Sequence, residues 1–171
     1  MGYDLYVKLL NEAVLEEKGQ TVREKTECLV SLAFDACLPE RYVHTAGERI
    51  ALYKRISLIG SAADLDDMKD ELCDRYGALP RPAENLLHIA LIRAMAEQCN
   101  INSIRQQGNE ISLYSPDFDT AVWTALAKEF PGQLRMMLSG SPYIRFKPKG
   151  NALTATETLL TRLLAETTKK G

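Results

Sequence analysis

The sequence of 171 residues lacks the common motifs of several functional sites. It has no Gly-x-x-x-x-Gly-Lys-Ser/Thr loop, no Gly-x-Gly-x-x-Gly after a strand and no Gly-x-Ser-x-Gly elbow. Its longest apolar runs are a few residues, far below the ~18–20 that span a bilayer. No basic segment followed by an apolar stretch opens the chain, so we expect no signal peptide. We therefore expect a cytoplasmic chain that is not itself an enzyme, needs no cofactor, binds no ATP directly and contacts no membrane.

Metal-ligating residues are also scarce, with four cysteines and two histidines. The closest cysteines, Cys28 and Cys37, are nine residues apart, so no Cys-x-x-Cys pair exists. The spacings of His44 and His88 from the cysteines match no structural zinc site. We predict no metal site. We also predict four free and mostly buried thiols in a reducing compartment.

The residues that are present predict a soluble globular chain, with 46% apolar and 26% charged residues. The length suits one domain. Helical periodicity and short period-two segments occur without strict alternation, which predicts an α+β fold with a largely antiparallel sheet of about five short strands packed with about six helices. The predicted helices cover Tyr3–Lys18, Ala46–Leu58, Ala62–Tyr76, Pro82–Cys99, Thr120–Phe130 and Asn151–Glu166. The predicted strands cover Glu27–Phe34, Ile101–Gln106, Glu110–Tyr114, Leu134–Leu138 and Tyr143–Phe146.

Charge is distributed unevenly along the chain. The net charge is −2, yet the residues from Phe130 onwards contain seven Lys/Arg and two acids, a net charge of +5. The rest of the chain therefore carries −7. A duplex-DNA-binding protein is usually basic overall, so the total charge argues weakly against that function. An acidic body with a basic end indicates a polar surface that faces another macromolecule.

The acids are densest in the segment Ala62–Gly77, which holds six of them against Lys69 and Arg75. At about 100° per residue, four apolar side chains of this helix share an arc of about 80°. Four acids share an arc of about 100° on nearly the opposite side. The apolar stripe consists of Leu65, Met68, Leu72 and Tyr76, and the acidic stripe consists of Asp67, Asp70, Glu71 and Asp74.

The acidic stripe has two interpretations. It is either an ordinary solvated face, relieved by Lys69 and Arg75, or a binding surface for cationic residues. Asp74 lies in the last turn, where negative charge meets the negative end of the helix dipole, and Glu71 repels it from one turn away. Each effect costs a few tenths of a kcal/mol. A helix selected for stability alone would place Lys there, so we favour a surface whose carboxylates each receive an arginine.

A series of short motifs runs in order through residues 2–95. These motifs resemble the C-terminal domain of the bacterial transcription-repair coupling factor Mfd, the TRCF domain. The combination of Tyr53-Lys54-Arg55-Ile56 with Asp74-Arg75-Tyr76-Gly77 is the most specific. The others are Gly2-Tyr3-Asp4-Leu5-Tyr6, Leu38-Pro39, Glu48-Arg49, Leu79-Pro80 and the helix from Pro82 to Leu91.

The resemblance implies a function in transcription-coupled nucleotide excision repair. The full-length family protein is an ATP-driven DNA translocase that displaces stalled RNA polymerase and recruits UvrA to DNA damage. The resemblance implies that residues 1–171 are a single regulatory domain excised from that protein. In the family, this domain packs on the UvrB-like N-terminal domain and hides its UvrA-binding surface, a form of autoinhibition. The family's partner-facing acids match Glu71 and Asp74.

The alternative function is nucleic-acid binding by the basic strand near the C-terminus. Alternation along Pro142–Lys149 places three cations on one face with Tyr143. A basic strand with an aromatic residue is able to track a phosphate backbone, although a solvated strand face has the same pattern. The three cations are Arg145, Lys147 and Lys149.

Overall fold

The computed structural model describes residues 28–116, 118–138 and 140–170, with the side chains of 168–170 outside the description. These residues form five helices and five strands, and the α+β prediction is confirmed. The predicted helix Tyr3–Lys18 lies outside the described residues. The elements are β1 (Leu29–Ser31), α1 (Ala46–Ile56), α2 (Ala62–Tyr76), α3 (Arg81–Gln98), β2 (Ser103–Gln107), β3 (Glu110–Tyr114), α4 (Thr120–Glu129), β4 (Leu134–Met137), β5 (Tyr143–Phe146) and α5 (Ala152–Lys170).

The described residues divide into two compact units. The first covers residues 34–94, and the second joins residues 28–33 to residues 95–170. The first unit is helical, and the second contains all five strands. The assignment of the whole chain to a single domain stays a prediction.

Local sequence signals set the ends of α1 and α2 in the first unit. The Thr45 hydroxyl accepts a hydrogen bond from the Glu48 amide (3.3 Å), and the Ser61 hydroxyl accepts one from the Asp64 amide (3.2 Å). Gly77 ends α2 with a φ of +90°, a conformation that glycine adopts without a Cβ clash. The observed ends of α2 agree with the predicted ones.

The first unit buries one side of α1 and one side of α2. The side chains of Leu65, Met68 and Leu72 in α2 are buried, which confirms the predicted apolar stripe apart from the half-buried Tyr76. In α1 only Leu52 and Ile56 are buried. Ile50 of this helix and Leu58, which follows it, are 47% and 53% exposed.

Tyr42 connects the loop before α1 to the end of α2. Its buried hydroxyl lies 3.0 Å from the carbonyl oxygen of Leu72 and 2.9 Å from that of Gly77. Its ring also contacts Tyr76, with centroids 5.6 Å apart. Gly77 follows the last residue of α2, so its carbonyl oxygen has no donor within the helix, and the Tyr42 hydroxyl supplies one. Burial raises the pKa of Tyr42, which keeps the hydroxyl protonated.

The second unit is built on a five-stranded sheet with the strand order β1-β2-β3-β5-β4. Three pairs are antiparallel, and only the β1–β2 pair is parallel, so the prediction of a largely antiparallel sheet is confirmed. A two-residue turn at Gly108-Asn109 joins β2 to β3, with Gly108 at a φ of +58°. Helix α4 packs against α5 and β4. The buried sheet residues are Val30, Ile104, Ile111, Leu113, Ile144 and Phe146.

Strand β1 is shorter than the predicted Glu27–Phe34, of which Glu27 lies outside the described residues. Cys28, Val30 and Leu32 are buried, in agreement with the predicted alternation. After Ser31 the chain leaves the ladder, because the Ala33 amide donates to the Gln106 side-chain oxygen (2.9 Å) instead of to a strand carbonyl. A side chain of β2 thus takes the place of a ladder bond and ends the strand.

Candidate functional site

The four acids of the predicted stripe lie together on the outside of α2, and we call Asp67, Asp70, Glu71 and Asp74 the acidic surface. The three aspartates are exposed, and Glu71 is half-buried. The helix keeps them together because residues three or four apart lie on the same face. Leu72 and its apolar neighbours fix the opposite side in the core of the first unit. The position of each acid is therefore set by α2 and not by a loop.

Glu71 differs from the three aspartates because it already has cationic partners. Both terminal nitrogens of Arg55, in α1, donate to its carboxylate, one of them over 2.7 Å. Arg75 lies 3.7 Å from the same carboxylate. The hydrogen bonds from Arg55, together with the charges of both arginines, hold the pKa of Glu71 below its usual range. The Arg55–Glu71 pair joins α1 to α2, a contact that the sequence analysis did not predict.

The three aspartates have no cationic partner within the described residues. Lys69, which was expected to relieve them, extends instead to Glu84 of α3 at 3.5 Å. Arg75 faces Glu71. Among the residues that the structure describes, the two cations of α2 thus leave the three aspartates unpaired, and the acidic surface keeps a net negative charge.

A groove of about 250 Å³ borders the acidic surface in the first unit. Its apolar side includes Leu58, Ile59 and Met68, and its polar side includes Asp67 and Glu71. Leu58 follows the end of α1 and is exposed, so an apolar side chain is available beside the carboxylates. The sequence analysis ended a predicted helix at Leu58 and did not identify this residue as part of a site.

Asp64 and Asp66 lie on the same helix outside the acidic surface. The Asp64 carboxylate accepts a hydrogen bond from the Gly60 amide at 3.0 Å and supports the start of α2. Asp66 is exposed and has no hydrogen bond or ion pair within the described part of the chain. Asp64 is therefore structural, whereas Asp66 is suitable for a matched control.

The residues of the alternative nucleic-acid site lie in and after β5, in the second unit. Glu110 of β3 contacts Arg145 at 2.8 Å and Lys147 at 3.5 Å, so this single carboxylate partly neutralises both cations. Tyr143 stacks on a neighbouring tyrosine of β3. Strand β5 ends at Phe146, so Lys147 and Lys149 follow the strand instead of continuing it.

All four cysteines are free, but their burial differs from the prediction. Cys28 is buried, Cys37 and Cys99 are partly buried, and Cys73 is exposed. The prediction was wrong for Cys73 because this residue lies about 100° from Leu72 around α2, outside the apolar stripe.

Within the residues described, no group of three or more His, Cys, Asp or Glu side chains could hold a metal ion. Within the same residues, no helix is long and apolar enough to cross a membrane.

Comparison with known proteins gives a family match over residues 32–121, to the TRCF domain. A transcription-repair-coupling factor of Bacillus subtilis is 28% identical over 159 residues, which cover 89% of this chain and 14% of the relative. That of Haemophilus influenzae is 37% identical over 106 residues, which cover 59% of this chain and 9% of the relative. The chain thus spans about a seventh or less of the length of these relatives.

A crystal structure of the C-terminal domain of transcription-repair coupling factor has the same fold. It matches with a TM-score of 0.74 and 21% identity, over 88% of this chain and all of that chain. The matches are to this domain and not to a catalytic domain. The family match also extends past residue 95, where the resemblance of the motifs had weakened, into β2, β3 and the start of α4. The chain therefore belongs to the TRCF domain family of transcription-repair coupling factors.

Proposed function

We propose that this chain is the regulatory C-terminal domain of a larger ATP-driven translocase and has no catalytic activity of its own. It packs on the UvrB-like domain of the same protein and masks the surface that UvrA binds. Engagement of RNA polymerase releases it during transcription-coupled nucleotide excision repair. The observation that supports this function most directly is the acidic surface, whose three aspartates are exposed and unpaired in the described residues.

The mechanism is competition for cationic side chains. An arginine of the partner domain donates two parallel hydrogen bonds to a carboxylate, which gives both geometry and affinity. Asp70 and Asp74 lie one turn apart and accept such donors without losing an internal partner. Because the two domains belong to one protein, the effective concentration is on the order of mM, and a weak contact keeps the UvrA-binding surface covered.

Arg55 has a specific role in this mechanism. Its guanidinium occupies the Glu71 carboxylate in the free domain. A partner arginine therefore shares Glu71 with Arg55 or displaces it, and either event lowers the gain from this contact. The groove beside Leu58 accepts an apolar side chain next to the partner's arginine. We thus expect a partner surface with arginines beside an apolar residue.

The test measures binding of the chain to the isolated UvrB-like domain by calorimetry. Glu71→Ala with Asp74→Ala should weaken binding strongly, because truncating one member of a desolvated charge pair costs ~2–5 kcal/mol. Arg55→Gln should strengthen binding, because it frees the Glu71 carboxylate. In the full-length protein, the double variant should bind UvrA more tightly.

The matched control is Glu48→Ala with Asp66→Ala, which removes two exposed acids outside the acidic surface. Asp64 is excluded from the control because it supports the start of α2. Equal weakening by both double variants would mean general electrostatics and would refute the assigned surface. Loss of the folded circular dichroism spectrum on changing Glu71 and Asp74 would mean that these acids are structural.

A further inference from the structure

One face of the five-stranded sheet in the second unit is only partly covered. Along β2, β3 and β5, the residues that alternate with the buried ones are exposed or half-buried. The pattern is clearest in β5, where Tyr143 and Arg145 are half-buried and Ile144 and Phe146 are buried. We call this side the open sheet face, and its main residues are Arg105, Ser112, Tyr114, Arg135, Tyr143 and Arg145.

Three arginines lie in one row across this face. The strand register pairs Arg105 with Ser112, Ser112 with Arg145, and Arg145 with Arg135. With strands about 4.8 Å apart, Arg135 and Arg145 are direct neighbours and Arg105 lies about 10 Å from Arg145. Like charges directly opposite each other destabilise a sheet. Sheet stability therefore does not explain this row of arginines.

The row is only partly neutralised. Glu110 pairs with Arg145 and Lys147, but no carboxylate of the described residues pairs with Arg105 or Arg135. A cavity of about 310 Å³ opens beside Arg135, Arg145 and Lys147 and is completed by residues 132–134. A space with three cations and uncompensated positive charge is suited to an anionic group such as a phosphate.

A pair of stacked aromatic rings lies in the next row of the same face. Tyr114 and Tyr143 are opposite each other in the register, and their ring centroids are 5.2 Å apart with an interplanar angle of 27°. The Arg105 guanidinium lies 5.9 Å from the centroid of Tyr114. Both tyrosines are half-buried, so part of each residue is accessible to solvent. Aromatic rings on an open sheet are surfaces on which unpaired bases stack.

We propose that the open sheet face binds single-stranded nucleic acid. Arg105 and Arg135 contact the phosphates, and Tyr114 and Tyr143 stack against bases. An acidic protein segment would use the arginines but would gain little from the tyrosines, whereas base stacking uses both. Duplex binds more weakly because its bases are already stacked and cannot reach the rings. This binding site lies in the second unit and is independent of the acidic surface on α2.

The test measures fluorescence anisotropy of a labelled oligothymidylate of about 15 nucleotides with the 171-residue chain. Duplex of the same length and an oligoglutamate peptide are the competitors. The proposal expects single strands to compete best and affinity to fall as salt rises from about 50 to 200 mM. It is overturned if single strands do not bind, or if the duplex or the peptide competes equally well.

Two double variants separate the roles of the residues. Arg105→Gln with Arg135→Gln should lower the slope of log affinity against log salt by about 1.4, since each single-strand phosphate contact contributes about 0.7. Tyr114→Thr with Tyr143→Thr keeps strand-forming residues and should lower affinity about tenfold with the slope unchanged.

Arg41→Gln with Arg81→Gln is the control, because it makes the same charge change at exposed positions of the first unit. If the control loses as much affinity as Arg105→Gln with Arg135→Gln, the binding site is not local to the open sheet face. Circular dichroism checks that each variant is folded. If Tyr114→Thr with Tyr143→Thr unfolds the sheet, the test rests on Arg105→Gln with Arg135→Gln. Both arginines are exposed, so their replacement leaves the fold intact.

Discussion

The acidic surface of α2 and the open sheet face are both clusters of like charge, but they differ in what accompanies the charge. On α2, the unpaired aspartates adjoin a groove with apolar side chains. On the sheet, the unpaired arginines adjoin two stacked rings. Carboxylates beside an apolar groove suit a cationic protein surface, whereas guanidinium groups beside rings suit a chain of phosphates and bases. The neighbours of a charge cluster therefore indicate its partner better than the charge alone.

The largest expected contrast between the two units concerns their thiols. Cys73 on α2 is exposed, whereas burial raises the pKa of the Cys99 thiol in the second unit to about 12. Against the ordinary value of 9.0, this lowers the thiolate fraction of Cys99 by about a thousandfold. A maleimide reagent should therefore label Cys73 first in the native chain, as peptide mapping by mass spectrometry would detect. Labelling of Cys99 before Cys73 would contradict the described burial.

The second contrast separates the side of α2 that stabilises the fold from the side that we propose for binding. Leu72→Ala should lower the free energy of unfolding by ~2–5 kcal/mol, because the side chain is 0% exposed and its loss leaves a cavity. Asp74→Ala should change it by no more than ~0.5 kcal/mol. Leu113→Ala and Arg105→Ala should repeat the contrast in the sheet. Urea titrations measure all four, and a large loss from Asp74→Ala or Arg105→Ala would remove the distinction between binding and folding residues.

The third prediction concerns the sign of the charge effects. Asp74→Lys should stabilise the chain by ~0.3–1 kcal/mol, because a cation in the last turn of α2 suits the helix dipole. Arg135→Glu should stabilise it by ~0.2–1 kcal/mol, because it places a carboxylate opposite Arg145. Glu48→Lys is the control with opposite sign, since Glu48 lies in the first turn of α1. Thermal unfolding measures the three signs, and destabilisation by the first two variants would indicate that these charges serve the fold.

The smallest effect is the pH dependence that Glu71 contributes. Its pKa is lower in the folded chain than in the unfolded one, mainly because of the hydrogen bonds from Arg55. The stabilisation is therefore complete above the unfolded value of about 4.3 and is lost as pH falls through the lower, folded value. Both side chains are partly exposed, so the contribution is below ~1 kcal/mol. Arg55→Gln should reduce the change in the free energy of unfolding with pH in this acidic window, as urea titrations at several pH values would measure. An unchanged slope would mean that the Arg55–Glu71 pair does not stabilise the fold.

Sequence reasoning was most successful where neighbouring residues decide the structure. The ends of α2 follow from Ser61 and Gly77, and its two faces follow from the helical period. The same helical period, applied to Cys73, would have predicted that this residue is exposed. Strand β1 was predicted too long because its end depends on Gln106, which is distant in the sequence.

The parts of the sites that involve distant residues were not predictable from local patterns. The Arg55–Glu71 pair requires the packing of α1 on α2, and the position of Arg135 opposite Arg145 requires the register of β4 and β5. Strand alternation led the sequence analysis to Arg145 of β5, together with Lys147 and Lys149, which follow the strand. It did not find Tyr114 or Arg105, because these residues join the same face only when three strands pair.

The motif Tyr-Lys-Arg-Ile contacts residues in or beside two other motifs that indicated the family. Arg55 belongs to Tyr-Lys-Arg-Ile and hydrogen-bonds Glu71, three residues before Asp-Arg-Tyr-Gly. The Leu38 amide, in Leu-Pro, donates to the Tyr53 hydroxyl at 3.0 Å. Residues in such contacts change together during evolution, because replacing one leaves the other without its partner. Among TRCF domains, a relative that has lost the arginine of this motif should also have lost the matching glutamate, so that the two residues are inherited as one unit.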